Sequence, residues 1–394
     1  MSRRQVRQRA PRGRSLVGVE HEVDVGAFAH GGACVARLPA DVPEVGGVVV
    51  FVRHALPGER VTVRLTEGAV GDRFLRGDAV TVHRPSPDRV DQPCPYAGPG
   101  RCGGCDLQHV DLAAQRRLKA GVVAEQLHRI AGLEREVVVE GVPGDLNGLR
   151  YRTRMRFIRL PDGRLGLRKH RSRELVPIDD CRIQAPGAVV TVEGEQPPEG
   201  TGVVTEHVAG HDYEVARDGF WQVHRGASHL LVGAVLDGAH VRPGDRVVDL
   251  YCGVGLYTVP LAEATGAQGH VLGVEGDGEA VAHAERNAAA YPWVEVARGP
   301  VDRVLARADL DGCDIVVLDP PREGAKRAVV EAVAALRPAR VVHVACDPAS
   351  LARDVALFAE AGYGLEALRA FDLFPMTHHV ECVALLEKTG SDLR

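Results

Sequence analysis

Hydrophobic and polar positions follow three different rhythms along the 394 residues of the chain. Between Val17 and about Val82 they alternate with period two, as in Val17, Val19, Val23 and Val25 and again in Val61, Val63 and Leu65. Gly31-Gly32, Gly46-Gly47 and Pro57-Gly58 separate these runs. Period two puts the valines on one face of a strand, and short strands spaced by turns predict a small β-barrel. Farther on, Leu112, Leu118, Val122, Leu127 and Ile130 recur at helical spacing and predict a packed helix over 111–133. Beyond Gly244 the rhythm changes again. Apolar runs at 246–250, 271–275, 294–297, 314–318, 340–345, 365–371 and 380–386 alternate with helical stretches, the pattern of a doubly wound, mainly parallel sheet. The segment 190–215 carries no rhythm that predicts an element.

These rhythms divide the chain into a basic tail (1–14), a barrel (15–83), a central α+β domain (84–218) and a C-terminal Rossmann-like domain (219–394), so the fold class is multidomain α/β. The tail holds Arg3, Arg4, Arg7, Arg9, Arg12 and Arg14 with almost nothing apolar, which predicts disorder. The proline-rich stretch 83–90 reads as a linker. Arg150, Arg152, Arg154 and Arg156 alternate with Tyr151, Thr153, Met155 and Phe157, and a strand there would line up all four guanidinium groups on one face. Arg159, Arg164, Arg168, Lys169, Arg171 and Arg173 extend that charge through a hairpin around 161–163. A net charge of −5 gives no global attraction to a polyanion, so phosphate contacts are expected from this face. No apolar run approaches the roughly 20 residues of a membrane span, and no signal-peptide core opens the chain, so a cytoplasmic location is expected.

Nine cysteines, an odd number, fit metal or catalytic thiols in a reducing compartment better than a disulfide framework. Cys94, Cys102 and Cys105 share one Gly/Pro-rich loop, with Cys181 downstream. Four such thiolates suit a [4Fe-4S] cluster ahead of a structural zinc, because zinc sites usually pair two CxxC knuckles. Cys34, Cys252, Cys313 and Cys382 lie in or beside apolar runs and read as packing residues.

Strand ends carry the remaining chemistry. The first strand of the sheet runs into Asp249-Leu-Tyr-Cys-Gly253-Val-Gly255, and Thr258 stands where a dinucleotide-binding loop would place a third glycine. A carboxylate aimed into this loop repels a pyrophosphate but attracts an ammonium group, which favours S-adenosyl-L-methionine over NAD. Glu275 ends the next strand, where ribose hydroxyls are usually held. Asp319-Pro-Pro-Arg322 ends the fourth. Cys346 ends the strand 340–345, ahead of a helix marked by Leu351, Val355 and Phe358, and a helix N-terminus is expected to favour its thiolate. Amino-group methyltransferases carry an aromatic residue where Arg322 stands, and RNA cytosine-5 methyltransferases a second cysteine after a proline in that motif. Neither is present, and both departures point toward uracil.

Together DLYCGVG (249–255), LDPPR (318–322), ACDPASLARD (345–354), FPMTHHVE (374–381) and the CGGC of 102–105 resemble the iron-sulfur 5-methyluridine RNA methyltransferases, and LPGERVTV (56–63) resembles their TRAM domain, which implies an OB-like barrel. The resemblance covers nearly the whole chain. It implies Gln222, Tyr251, Glu275 and Asp319 around the methyl donor, with Asp249, Gly253 and Gly255 in the donor loop. It also implies Cys346 as nucleophile, Glu381 as general base, and Cys94, Cys102, Cys105 and Cys181 as cluster ligands. Two positions depart from the family pattern: the gap from Cys94 to Cys102 is longer than the usual five residues, and Asp347 replaces a frequent asparagine. The implied partner is RNA, 23S rRNA ahead of tRNA, acted on by a monomer without membrane attachment. The rival reading is an RNA-binding protein whose Rossmann-like domain no longer catalyses.

Overall fold

The computed structural model describes residues 13–145, 147–195, 202–307 and 312–389. They form two compact units. The first takes the described residues up to Gln115 with Gly166–Ile178 and Met376–His378, and the second takes the rest.

In the first unit β1 (Glu20–Ala29), β2 (Ala33–Arg37), β3 (Val49–Arg53), β4 (Arg60–Glu67) and β5 (Phe74–Arg84) close a barrel in the order β1-β2-β3-β5-β4. Alternation decides its interior: Val23, Val25, Val50, Val52, Val61, Val63, Leu65 and Leu75 are all buried there. Gly77 lets β5 close on β4, since a Cβ at that position would lie 2.5 Å from Val63 Cγ2. Val17, read as the start of the first strand, lies before it and is 60% exposed. Of the tail, residues 1–12 lie outside the described residues, and Arg14 pairs with Glu44 at 2.5 Å. The stretch read as a linker is fastened to the barrel. Arg89 grips the buried Glu59 through Nε (2.6 Å) and Nη2 (2.7 Å), and Ser86 N–H donates to the same carboxylate at 3.0 Å. The unit also holds the cysteine loop, on which Asp106 accepts from Arg53 at 3.1 Å and pairs with His378 at 2.6 Å.

Helix α1 (Leu112–Gln126) ends sooner than its periodicity predicts and continues as a π-helical turn, Leu127–Ala131, with Ile130 exposed. Its buried stripe includes Lys119, whose ammonium pairs with the buried Asp372 at 2.5 Å and also reaches the Phe374 carbonyl. A lysine sealed among apolar residues is tolerated because both its charge and its donors are matched.

In the second unit β6 (Val139–Glu140) joins the main sheet and β7 (Arg152–Arg159) follows, while the short antiparallel pair β8 (Leu165–Arg168) and β9 (Leu175–Pro177) belongs, apart from Leu165, to the first unit. β7 pairs with β10 (Gln184–Val192) in parallel. Within the unpatterned segment and just past it, β11 (Val203–Val208) and β12 (His211–Ala216) pair as a hairpin. The Rossmann-like part then runs α2 (Ala227–Ala239), β13 (Arg246–Leu250), α3 (Thr258–Thr265), β14 (His270–Glu275), α4 (Gly278–Asn287), β15 (Val294–Arg298), α5 (Val301–Leu305), β16 (Ile315–Leu318), α6 (Lys326–Ala335), β17 (Arg340–Ala345), α7 (Pro348–Glu360), β18 (Tyr363–Phe371) and β19 (Glu381–Lys388). The sheet order is β15-β14-β13-β16-β17-β19-β18-β6, antiparallel only where β19 joins its neighbours. Val248, Leu250, Val316, Leu318 and Val341 face one apolar core, and Val247, Ile315, Val317, Val342 and Val344 face the other, which is why these strands read as continuous apolar runs. The chain reverses its winding between β13 and β16, so a crevice opens at their carboxyl ends. Among the described residues no helix is long and apolar enough to cross a membrane.

The arginine face is not assembled. Arg150 has a positive φ of 53° outside the strand and is bound by Asp180 at 2.6 Å, while Arg154 is 9% exposed and donates to the Ala216 and Arg217 carbonyls and to Glu206. Arg159 and Arg164 pair with Glu195 and Asp162. Period-two spacing gives the facing of side chains only inside a regular strand, and here internal carboxylates take up most of the charge.

Candidate active site

The carboxyl edge of β13 begins the site. Asp249, its penultimate residue, is fully buried, and its Oδ2 accepts the Thr258 hydroxyl at 2.6 Å while Oδ1 meets no partner in the described protein. The chain then turns sharply, with positive φ at Tyr251 (62°), Gly253 (56°) and Gly255 (91°), the last a conformation that favours glycine. Glu275, at the end of β14, fixes this turn: Oε2 accepts Gly253 N–H at 3.0 Å, and Oε1 accepts Gly276 and Asp277 N–H at 2.7 and 2.8 Å.

Asp319 follows β16, where its N–H donates to the Leu250 carbonyl at 3.2 Å and its Oδ2 accepts from Tyr257 Oη at 3.5 Å. Cys346 follows β17. Asp347 caps α7 by accepting Ser350 N–H at 2.8 Å, and the Ser350 hydroxyl reaches the Arg322 carbonyl at 2.9 Å, joining the two motif loops. Because β19 is antiparallel, its first residue Glu381 arrives at the edge where β17 ends: Ala345 pairs with Cys382 and Phe371 with Glu381. Glu381 is 4% exposed.

Negative charge dominates this edge. Burial, with the Asp319 and Glu275 charges, raises the Asp249 carboxyl to about 7, and burial raises Asp319 to about 7 against the pull of His343. Burial and Asp319 push Glu381 well above the carboxylate range, with Arg322 opposing. The Cys346 thiol rises to about 12 through burial and the charges of Glu381 and Asp319. The expected thiolate-favouring effect of the helix start is therefore overridden, since two carboxylates and desolvation act on the sulfur together. An edge with this many carboxylates suits a cation, and the unpartnered oxygen of Asp249 offers one a contact.

The comparisons agree with this geometry. Residues 303–389 match the family tRNA (Uracil-5-)-methyltransferase, and residues 14–80 match the TRAM domain. An RNA methyltransferase of Streptomyces coelicolor is 45% identical, covering 96% of this chain and 95% of its own. A 23S rRNA (uracil(1939)-C(5))-methyltransferase of Shewanella amazonensis is 33% identical over 89% of this chain and 93% of its own. This chain belongs to the RNA (uracil-5-)-methyltransferase family. Its fold matches the Pyrococcus abyssi tRNA (uracil-54, C5)-methyltransferase solved in complex with S-adenosyl-L-homocysteine, with a TM-score of 0.66, 22% identity, and coverage of 92% of this chain and 99% of that one. The chain is thus an RNA (uracil-5-)-methyltransferase with an N-terminal TRAM barrel.

Within this methyltransferase, Asp249, Tyr251, Gly253, Gly255, Glu275, Asp319, Cys346 and Glu381 all come to one sheet edge. Gln222 is buried but forms no hydrogen bond with any of them. Sequence reasoning missed Tyr257, which stands among Asp249, Asp319 and Glu381, and Ser350, His343 and Asp354, which hold the motif loops from behind. Spacing from a strand end could have flagged Tyr257. Cys34, Cys252 and Cys382 are buried packing residues, whereas Cys313 is only partly buried.

The cysteine loop is a different matter. Cys94 and Cys105 are buried and Cys102 is half-buried in the first unit, while Cys181 is half-buried in the second. Gln108 Nε2 lies 3.4 Å from Cys105 Sγ. Among the described residues no three histidine, cysteine, aspartate or glutamate side chains converge on a point where a metal ion could sit.

Proposed function

We propose that this enzyme methylates C5 of a uridine in 23S rRNA through a covalent bond between Cys346 and C6 of the base. The observation that carries the reading is the pairing of Ala345 with Cys382, which brings Cys346 and Glu381 to one edge beside Asp249 and Asp319. Uracil C5 is too weak a nucleophile to accept a methyl group unaided, and thiolate addition at C6 converts the ring into an enolate that can. S-adenosyl-L-methionine supplies the methyl group as an electrophilic sulfonium. Asp249, with its unpartnered Oδ1, and the Gly253–Gly255 turn would hold it, with Tyr251, Glu275, Asp319 and Gln222 around it.

Cys346 adds to C6 once it has lost its proton to solvent, and a cation against Asp319 would ease that loss by offsetting one of the charges that, with burial, keep the thiol protonated. Asp347 and Ser350 keep the sulfur at the start of α7. Glu381, ionised once a cation offsets the neighbouring Asp319 charge, then takes the C5 proton so that Cys346 can be eliminated as thiolate.

The 23S rRNA substrate rests on the Shewanella amazonensis relative, and a tRNA substrate on the family matched over 303–389 and a likeness of fold. Mass spectrometry of rRNA and tRNA from a deletion strain separates the two. The reading places the enzyme in the cytoplasm as a monomer. The [4Fe-4S] proposal for Cys94, Cys102, Cys105 and Cys181 rests on their spacing in the sequence, and iron and sulfide assay of protein purified without oxygen tests it. No step of the reaction passes through that group.

The decisive experiment uses labelled methyl donor and denaturing electrophoresis. Cys346→Ala forms neither adduct nor product. Glu381→Gln accumulates a protein-RNA species carrying the labelled methyl group, and wild type on 5-fluorouridine RNA is trapped at the same stage. Normal methylation by Cys346→Ala would place the nucleophile elsewhere, and free turnover by Glu381→Gln would assign the base to another residue.

A further inference from the structure

Behind the reacting edge lies a buried histidine that the proposed chemistry does not use. His343 sits in β17 three residues before Cys346, is fully buried, and pairs with Leu318 of β16 on one side and Ala384 of β19 on the other. Its Nε2 lies 3.1 Å from Oδ2 of Asp354, and its Nδ1 lies 2.9 Å from the Val344 carbonyl oxygen. Asp354 projects from α7 and is 2% exposed. Its Oδ2 also accepts Ala325 N–H at 2.7 Å, and its Oδ1 accepts Lys326 N–H at 3.1 Å.

Accepting N–H donors on both oxygens is the pattern of an ionised carboxylate, and a backbone carbonyl can only accept. Both ring nitrogens of His343 therefore face acceptors. A neutral imidazole has one N–H and can satisfy one of them, leaving a lone pair opposed to a lone pair in a site without room for water to intervene.

We propose that His343 is a positioning residue carried as the doubly protonated imidazolium, donating one N–H to Val344 and the other to Asp354, and so fastening the strand that delivers Cys346 to the loop that carries Asp319. The loop is fitted to this clasp. Gly324 (φ 79°) approaches so closely that a Cβ there would lie 2.6 Å from Asp354 Oδ2, and Lys326 is held at a positive φ of 69° while its N–H reaches Asp354. Two charged groups face the ring or its partner: Asp354 from α7 and Asp319 from the end of β16, with Tyr251 beside Asp354. An isolated buried cation would be costly, and the adjoining carboxylate offsets that cost. The same cation also tempers Asp319, whose carboxyl it pulls down against burial.

The test has two arms, and only the second rests on the proposed uridine chemistry. In the full chain labelled with ¹⁵N-histidine, the His343 ring should show two protonated nitrogens at neutral pH. It is assigned by its loss in His343→Gln, or by through-space contacts with Val344 where that variant does not fold. One protonated and one bare nitrogen overturns the proposal. His343→Gln keeps a donor toward Asp354 and removes the charge. Its affinity for S-adenosyl-L-methionine should stay within about threefold, and its kcat on RNA should fall about tenfold or more with KM little changed. An unchanged kcat, or a loss confined to KM, also overturns the proposal. Absence of methylated RNA with wild-type protein would sink the uridine reading instead, while leaving the ring measurement intact.

Discussion

Cys346 and Glu381 become neighbours through an antiparallel strand: Ala345 pairs with Cys382, and the next residue outward along each strand reaches the same edge of the sheet. Had β19 run parallel to β17, Glu381 would lie at the opposite end. The one reversed strand in an otherwise parallel stack is what lets Cys346 and Glu381 share an edge with the Gly253–Gly255 turn.

Asp249 should dominate the charge complementarity of that edge. Calorimetry on Asp249→Ala is expected to show a loss of roughly 1.5 to 3 kcal/mol in affinity for S-adenosyl-L-methionine, about tenfold to a hundredfold. Equal affinity in the variant would remove Asp249 from the pocket.

The raised carboxyls have a consequence for stability. Asp249 and Asp319 stand near 7 in the folded protein against an ordinary value of 3.8. Between about pH 4 and pH 7 the folded state holds protons that the unfolded chain has released, so stability falls as pH rises through that window and levels off above it. Asp249→Asn removes one of these groups, so its Tm relative to wild type should rise from pH 5 to pH 7.5. A difference that does not depend on pH would show that Asp249 is not raised.

Gly324 and Gly362 separate backbone strain from a steric clash. Both have positive φ, 79° and 88°, but only a Cβ at Gly324 meets an obstacle, Asp354 Oδ2. Gly362→Ala should cost about 1 kcal/mol in chemical denaturation, and Gly324→Ala about 1 to 3 kcal/mol more. Similar losses would mean that Asp354 yields easily and the loop is not clamped.

Two arginines of the 150–156 run should behave differently. Arg154 is buried among carbonyls and Glu206, so Arg154→Ala should lower stability by about 2 kcal/mol or more. Arg156 is exposed, so Arg156→Ala should leave stability within about 0.5 kcal/mol and weaken RNA binding in a salt-dependent way. A Tm loss in Arg156→Ala matching that of Arg154→Ala would contradict this division.

The sequence alone determined where the strands of the sheet end, and therefore that Asp249, Glu275, Asp319 and Cys346 stand at strand ends. Apolar runs and the turns that break them are local properties, and the donor-loop glycines declare their backbone shape in the same way. The barrel was legible for the same reason, since period two and glycine turns need no distant partner. Tertiary structure decided which charges are buried and by what. Period two set out the arginines of 150–156 as one row, yet Arg150 is held outside the strand by Asp180, and Arg154 is buried against Glu206, a residue distant in sequence. The helix start beside Cys346 promised a thiolate, but burial, together with two carboxylates brought in by β16 and β19, pushes the thiol up. His343 read as one residue of an apolar strand, and only the packing of α7 against that strand gave it Asp354 as a partner. Burial and charge pairing depend on residues far away along the chain, so no local pattern could have announced them.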